Sequence, residues 1–137
     1  SELLGRASSL VVDGSLANAD WFAGYFAYIR ARYPRYRVGI VHVVCDPDLI
    51  WARVVDRCRR TGRCISRHVV DRSVRDTPRA VERLRPLTDL TLVVDSGRGD
   101  DDDAKLHISH LSPDLEEVVA AAFPVEARGG AGGLLDT

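Results

Sequence analysis

Short apolar runs and helical periodicities alternate along the first part of this chain. Residues 9–13 form an apolar run that ends in an acid before Gly14, which is typical of a buried strand. Over residues 18–33 the bulky side chains instead recur every three or four positions, which predicts an amphipathic helix that Pro34 terminates. The β-branched run within residues 36–45 predicts a second strand, placed centrally in its sheet.

The alternation continues through the second part of the chain. Asp46 is suited to cap a helix and Pro47 to occupy its first position, so we predict a helix over residues 47–60 that Gly62 closes. Residues 63–77 are expected to be irregular or weakly helical. The remaining predicted elements are a helix restarting at Thr77-Pro78 and running to residue 87, strands over 90–95 and 105–110, and a last helix over 113–123.

Strands that alternate with helices predict an α/β fold with a mostly parallel sheet and helices on both faces. Ligands of such sheets collect at the carboxyl ends of the strands. The predicted strand ends carry Asp13, Gly14 and Ser15, then Cys45 and Asp46, then Asp95 and Ser96. We expect one domain over residues 1–125 and a flexible Gly-rich tail over residues 126–137.

Composition supports a single globular domain. The 137 residues are 45% hydrophobic and 28% charged, which excludes the low-hydrophobicity class of disordered chains. No apolar run approaches the roughly 20 residues of a membrane span, and no signal peptide is recognised. Three cysteines without a C-x-x-C pair make a disulfide framework or a four-thiolate zinc site unexpected. The expected compartment is therefore intracellular, and specifically the cytoplasm.

Positive charge is concentrated in one segment. Between Arg53 and Arg85 there are eleven Arg and four acids, a charge of +7 within a chain of net charge −1. This asymmetry indicates a local anionic ligand, although a solvated helical surface in an Arg-rich chain remains the alternative. The segment contains no Phe, Trp or Tyr. Nucleic acid is therefore not an expected partner, because RNA-binding surfaces interleave aromatic and basic residues.

Two groups of residues carry candidate chemistry. Arg53, Arg57 and Arg60 are spaced four and three apart, which places them on one helix face, and Arg63 follows just beyond the helix. At this corner several guanidinium groups could bind one phosphate. The alternative interpretation is that Arg53 forms an ion pair with a nearby acid. The triplet at residues 13–15 could hold a metal ion and a substrate hydroxyl, although Asp-Gly-Ser is also an ordinary turn.

Taken in order, these segments resemble the zeta-toxin-like branch of the P-loop kinases over residues 8–96. The resemblance implies that Asp13, Gly14 and Ser15 bind substrate and that Asp13 faces magnesium, with Asp in place of the commoner Glu and Ser in place of Thr. It also implies an Arg-rich lid over residues 57–77. The implied lid arginines, which would act in catalysis, are Arg57 and Arg63, with substrate-binding help from Arg60 and assistance from Arg53.

The resemblance implies phosphoryl transfer from ATP, with magnesium, to a hydroxyl of a small-molecule or nucleotide-sugar acceptor. The family's G-x-x-x-x-G-K-[ST] loop, which wraps the nucleotide phosphates, does not occur in the 137 residues. In that fold the loop precedes the Asp-Gly-Ser strand. We therefore expect a P-loop NTPase-like domain incomplete at its N-terminal side, active only with a complementary P-loop half. The alternative is a catalytically inactive, kinase-derived module that serves as an interaction subunit of a larger assembly.

Overall fold

The computed structural model of the chain describes residues 9–97 and 104–122. Over these residues the fold is α/β, with four α-helices and one three-stranded sheet. The elements in chain order are α1 (Ala19–Arg32), β1 (Gly39–Val44), α2 (Pro47–Thr61), α3 (Arg67–Leu84), β2 (Leu90–Asp95), β3 (Lys105–Leu111) and α4 (Glu116–Ala122), with 3-10 turns at Arg85–Leu87 and Pro113–Leu115. The predicted Gly-rich tail lies outside the described residues.

The sheet is mixed, so its predicted mostly parallel character is not confirmed. Its order is β1-β2-β3; β1 pairs with β2 in parallel, whereas β2 pairs with β3 antiparallel. The physical reason is the short connection between Asp95 and Lys105, because a crossover to a parallel strand needs a dozen or more residues. None of the described helices combines the length and the apolar character needed to cross a bilayer.

Two strand predictions at the N-terminal side are wrong. Residues 9–13 form no strand, and their apolar side chains are exposed, Val11 at 92%. A strand needs a hydrogen-bonded neighbour, and the described residues place none beside this segment. The second error concerns β1, which was predicted to be central but pairs only with β2 and therefore forms an edge of the described sheet. Its outer side is flanked by no described strand, and Val41 and Val43 are exposed.

The hydrophobic core lies between β1, α1 and α3. Its buried residues are Phe26, Val38, Ile40, Val81 and Leu84. Phe22 and Ile29 of α1 pack against this cluster, as the helical periodicity predicts. The helix itself begins after Asn18, whose side chain accepts a hydrogen bond from Trp21 N at 3.1 Å.

Asp89 joins three parts of the chain beside this core. Its carboxylate accepts a hydrogen bond from Val38 N at 2.8 Å and one from Arg30 Nη2 at 3.2 Å. The Asp89 side chain is only 8% exposed, so these donors replace the water that a carboxylate would otherwise bind. The ion pair therefore fixes the end of α1 against the start of both β1 and β2.

Helix α3 is longer than predicted. Residues 67–77, expected to be irregular or weakly helical, are the first part of one helix that continues through Pro78. Proline removes one backbone hydrogen bond and usually ends a helix. Here Val70 is buried before the proline, and Val81 and Leu84 are buried after it. Burial on both sides of Pro78 stabilises a single helix against this local penalty.

Helix α2 begins and ends as predicted, but it buries no residue. Asp46 caps it by accepting a hydrogen bond from Asp48 N at 2.9 Å, and Gly62 ends it in the left-handed region at φ 71°. The left-handed turn brings the chain back, so the Cα atoms of Cys58 and Cys64 lie 4.5 Å apart. These two cysteines form a disulfide, which the cysteine count and spacing did not predict.

Candidate active site

An open cleft of about 430 Å³ lies beside β1. Three segments line it: residues 13–16, residues 41–45 and one side of α3. The residues contributed by α3 are Ser73, Val74, Thr77 and Pro78. Because consecutive residues of β1 line the cleft, it follows the unpaired edge of that strand and reaches its carboxyl end.

The Asp-Gly-Ser triplet is held against α3 on one wall of this cleft. Thr77 Oγ1 donates a hydrogen bond to the Ser15 carbonyl oxygen at 3.0 Å. Leu16 then turns the chain into α1 with a positive φ of 54°, and its side chain packs against the core. A Cβ atom at Gly14 would meet nothing within 4 Å. The triplet is thus anchored on its α3 side, while the space beside Gly14 is open to a ligand.

The cleft also contains Cys45, predicted at a strand end, and polar side chains that the sequence analysis did not select, among them His42 of β1. Partial burial lowers the pKa of His42, and the charge of Glu82 on α3 opposes that shift. Ser73 and Thr77 add two hydroxyl groups, with their oxygens 3.5 Å apart. The two residues are four apart, a spacing that places them on one face of a helix. That spacing could have identified this wall of the cleft only if residues 67–84 had been predicted as one helix.

Among the predicted arginines, Arg53 lies nearest to the carboxyl ends of the strands. Its Nη1 atom lies 3.5 Å from Ser96 Oγ and 3.6 Å from Cys45 Sγ. Cys45 also lines the cleft, so Arg53 brings positive charge to the border of the cavity. The sequence left open an ion pair between Arg53 and a nearby acid. The nearby acid Asp56 instead pairs with Arg60, whose Nε lies 2.7 Å from Asp56 Oδ2.

None of the predicted arginines is among the residues that line the described cleft. Arg57 and Arg63 are exposed and make no ion pair within the described part of the chain. Arg57 follows Pro47 by ten residues, so it lies about 15 Å further along the helix axis. The structure therefore groups Asp13, Gly14 and Ser15 at the cleft, and leaves Arg57, Arg60 and Arg63 at the far end of α2.

Asp13 is the only acidic side chain among the residues that line the described cleft. The described residues contain no group of three or more His, Cys, Asp or Glu placed to hold a metal ion. Magnesium at phosphoryl-transfer sites is usually held by one or two carboxylates together with substrate phosphates and water. A single carboxylate beside the hydroxyls of Ser15, Ser73 and Thr77 fits that pattern.

Comparison with protein-family models matches residues 2–110, more than half of the chain, to the family described as Zeta toxin. No curated protein and no solved structure gives a significant match to the chain.

Proposed function

The chain belongs to the zeta toxin family, and on that basis we propose that it is part of a kinase core. The proposed reaction transfers a phosphoryl group from ATP to a hydroxyl of a small-molecule or nucleotide-sugar acceptor. The observation that carries the proposal is the cleft that has the Asp-Gly-Ser triplet on one wall and the carboxyl end of β1 on the other. This is the place where α/β sheets bind their ligands.

Each member of the triplet has a proposed role. Asp13 holds magnesium and faces the acceptor, Gly14 leaves room for a ligand to approach the backbone, and Ser15 binds the acceptor through its hydroxyl. Magnesium, when bound, neutralises charge on the transferring phosphoryl group. Support comes from the anchoring of Ser15 by Thr77 and from the open space at Gly14.

Arg57 and Arg63 are proposed to neutralise the same charge from the predicted lid, residues 57–77. Both guanidinium groups are free of ion pairs within the described chain, so they are available to an anion. Helix α2 buries no residue, and movement of its far end toward the cleft would expose no core. Closure over a substrate would join the two groups of residues that the structure holds apart. Arg60 would assist by binding substrate after it has released Asp56.

A complementary P-loop half is the proposed partner, and the unpaired edge of β1 is its proposed docking place. The cleft separates that edge from residues 13–16, and the apolar side chains of residues 10–12 are exposed beside it. A strand from the partner would pair with β1 and cover this apolar surface. The glycine-rich loop and its lysine would then reach the carboxyl end of the sheet.

The test is ATP-dependent phosphoryl transfer by the longest natural protein that contains this chain, assayed against a panel of nucleotide sugars. We expect Asp13→Asn, Arg57→Gln and Arg63→Gln each to reduce turnover by at least 100-fold, on the scale seen for phosphoryl-transfer arginines. The matched control is Arg59→Gln, which removes an exposed arginine from the same helix. Unchanged turnover in the first three variants would refute the assigned roles.

A second candidate function is an inactive interaction module within a larger assembly. The observation that favours it is the exposure of Val41 and Val43, at 62% and 61%, on a strand with an unpaired edge. Two results together would support the module. The complete protein would still assemble with Asp13→Ala and Arg63→Ala combined, and the unaltered protein would transfer no phosphoryl group. Saturable binding of Mg-ATP that Arg63→Ala abolishes would support the kinase.

A further inference from the structure

The disulfide joins the end of α2 to the connection that leads into α3. Cys58 lies in the last turns of α2 and is half-buried, whereas Cys64 lies beyond the left-handed Gly62 and is exposed. We call residues 58–64 the bridged tip. Its position on the surface gives a solution thiol or disulfide direct access to the bond.

The bridged tip is rich in arginine. Arg59, Arg60 and Arg63 lie within it and Arg57 immediately precedes it, all of them exposed. The nearest acid in sequence, Asp56, is paired with Arg60. Neighbouring positive charge stabilises a thiolate, and thiolates are the reactive form in disulfide exchange. The reduced cysteines would therefore stand in surroundings that favour their reaction.

The bond also holds the two proposed catalytic arginines together. Arg57 and Arg63 each precede one of the bonded cysteines, whose Cα atoms lie 4.5 Å apart. Helical hydrogen bonding extends to Gly62 N, which donates at 2.9 Å. Beyond it the other interactions are weak, because residues 63–66 are all exposed and Arg63 N reaches Thr61 Oγ1 only at 3.3 Å. Opening the bond would leave the position of Arg63 relative to Arg57 poorly fixed.

We propose that Cys58 and Cys64 form a reversible redox modification site that controls whether Arg57 and Arg63 bind an anion together. This proposal rests on the proposed function in one respect, which is that the bound anion is identified as the phosphoryl group being transferred. The bonded form keeps the backbone at Arg57 close to the backbone at Arg63, since each residue precedes one of the bonded cysteines. The dithiol form lets Arg63 move away and binds anions more weakly.

The chemistry is thiol–disulfide exchange with a low-molecular-weight disulfide, RSSR. One cysteine thiolate attacks RSSR, forms a mixed disulfide and releases one RS⁻. The second cysteine thiolate attacks the protein sulfur of that mixed disulfide and releases the other RS⁻. Two protein thiols are oxidised by two electrons, RSSR is reduced to two RSH, and the two protons pass from the cysteines to the released thiolates. Excess RSH reverses both steps.

The first experiment equilibrates the full chain in glutathione buffers of graded composition, then traps free thiols by alkylation and counts them by mass. We expect a reversible change of two thiols, with the circular dichroism of the folded chain retained in both forms. Cys45 supplies one constant thiol as an internal reference. The proposal is wrong if the bond never forms, if no thiol reductant opens it, or if reduction unfolds the chain.

The second experiment titrates pyrophosphate into the bonded and the reduced chain. We expect the bonded form to bind about three- to tenfold more tightly, the effect of ordering one long side chain beforehand. Cys58→Ser with Cys64→Ser should match the reduced form, and Arg63→Gln should abolish the difference between redox states. Arg59→Gln is the matched control and should keep it.

Equal pyrophosphate affinity in both redox states would overturn the redox site and leave the kinase proposal standing. Failure of the kinase proposal has a different signature. The complete protein would then transfer no phosphoryl group in either redox state, while the bonded chain still bound pyrophosphate more tightly than the reduced chain.

Discussion

Helices α1 and α2 are nearly equal in length, at 14 and 15 residues, but they are attached to the molecule in different ways. Helix α1 buries Phe26 and packs further aromatic and aliphatic side chains against β1 and α3. Helix α2 buries none of its residues. Its attachments include the disulfide, the contact of Arg53 with Ser96 at the end of β2, and a stacking contact in which the Arg67 guanidinium lies 5.0 Å from the centre of the Trp51 ring.

The contrast separates a fixed helix from a helix that can be displaced. Apolar burial fixes α1, because moving it would open the core at a cost of several kcal/mol. Caps and surface contacts maintain the helical form of α2 without fixing its place on the sheet. A lid needs that combination; of the proposed catalytic arginines, Arg57 lies on α2 and Arg63 follows its end directly.

The largest expected effect comes from removing the buried ring of α1. Phe26→Ala should reduce the free energy of unfolding by about 3–5 kcal/mol, since it leaves a cavity between α1 and β1. Urea unfolding monitored by circular dichroism measures the change. The matched variant Ile50→Ala in α2, where the side chain is only half-buried, should cost much less. Equal costs would remove the distinction between the two helices.

The next largest effect concerns the ion pair between Asp89 and Arg30, which fixes the end of α1 against β1 and β2. Asp89→Asn should cost about 1–3 kcal/mol, because the neutral amide accepts more weakly from Val38 N and leaves Arg30 without its counter-ion. The control is Asp114→Asn, which removes an exposed partner of Arg37. Thermal unfolding of both variants compares them. A larger loss for Asp114→Asn would show that burial of Asp89 does not set its importance.

Two glycine substitutions should change stability in opposite directions. Gly62→Ala should destabilise by about 1 kcal/mol, since its φ of 71° is unfavourable for a residue with a Cβ. Gly24→Ala, inside α1, should stabilise by about 0.5–1 kcal/mol through helix propensity. An added Cβ meets nothing within 4 Å at either position, so neither change clashes with another part of the described chain. Chemical unfolding of both variants tests the pair.

The smallest expected effect is a pH dependence from His42. Burial lowers its pKa in the folded chain, so the unfolded chain takes up the proton first as the pH falls. The associated stability is present above the ordinary histidine pKa of about 6.5 and is lost as the pH falls below it. His42→Gln should flatten the stability curve in that range, as measured by chemical unfolding at a series of pH values. Parallel curves for His42→Gln and the unaltered chain would contradict this.

Local signals predicted the elements whose ends depend on nearby residues. The Asp46-Pro47 start and the Gly62 end of α2 are confirmed, and β2 occupies the predicted residues 90–95. These features depend on capping and on β-branched composition, which act over a few residues. Family membership could likewise be predicted, because its motifs are local.

Features that depend on distant partners could not be predicted in the same way. The exposed run at residues 9–13 has the composition of a strand, but a strand also requires a neighbour. Helix α3 continues through Pro78 because its flanks are buried, which becomes known only after folding. The Ser73 and Thr77 wall of the cleft was missed for that reason, and the Cys58–Cys64 bond because Gly62 reverses the chain there.

The disulfide has a practical consequence for peptide mapping of the chain. Arg59, Arg60 and Arg63 lie inside the covalent ring that the bond closes, so trypsin can cut the backbone there without separating the two halves. A single cut would add the mass of one water to the protein, and the halves would come apart only after reduction. A tryptic digest compared with and without reductant thus records, in one mass spectrum, which molecules carried the bond.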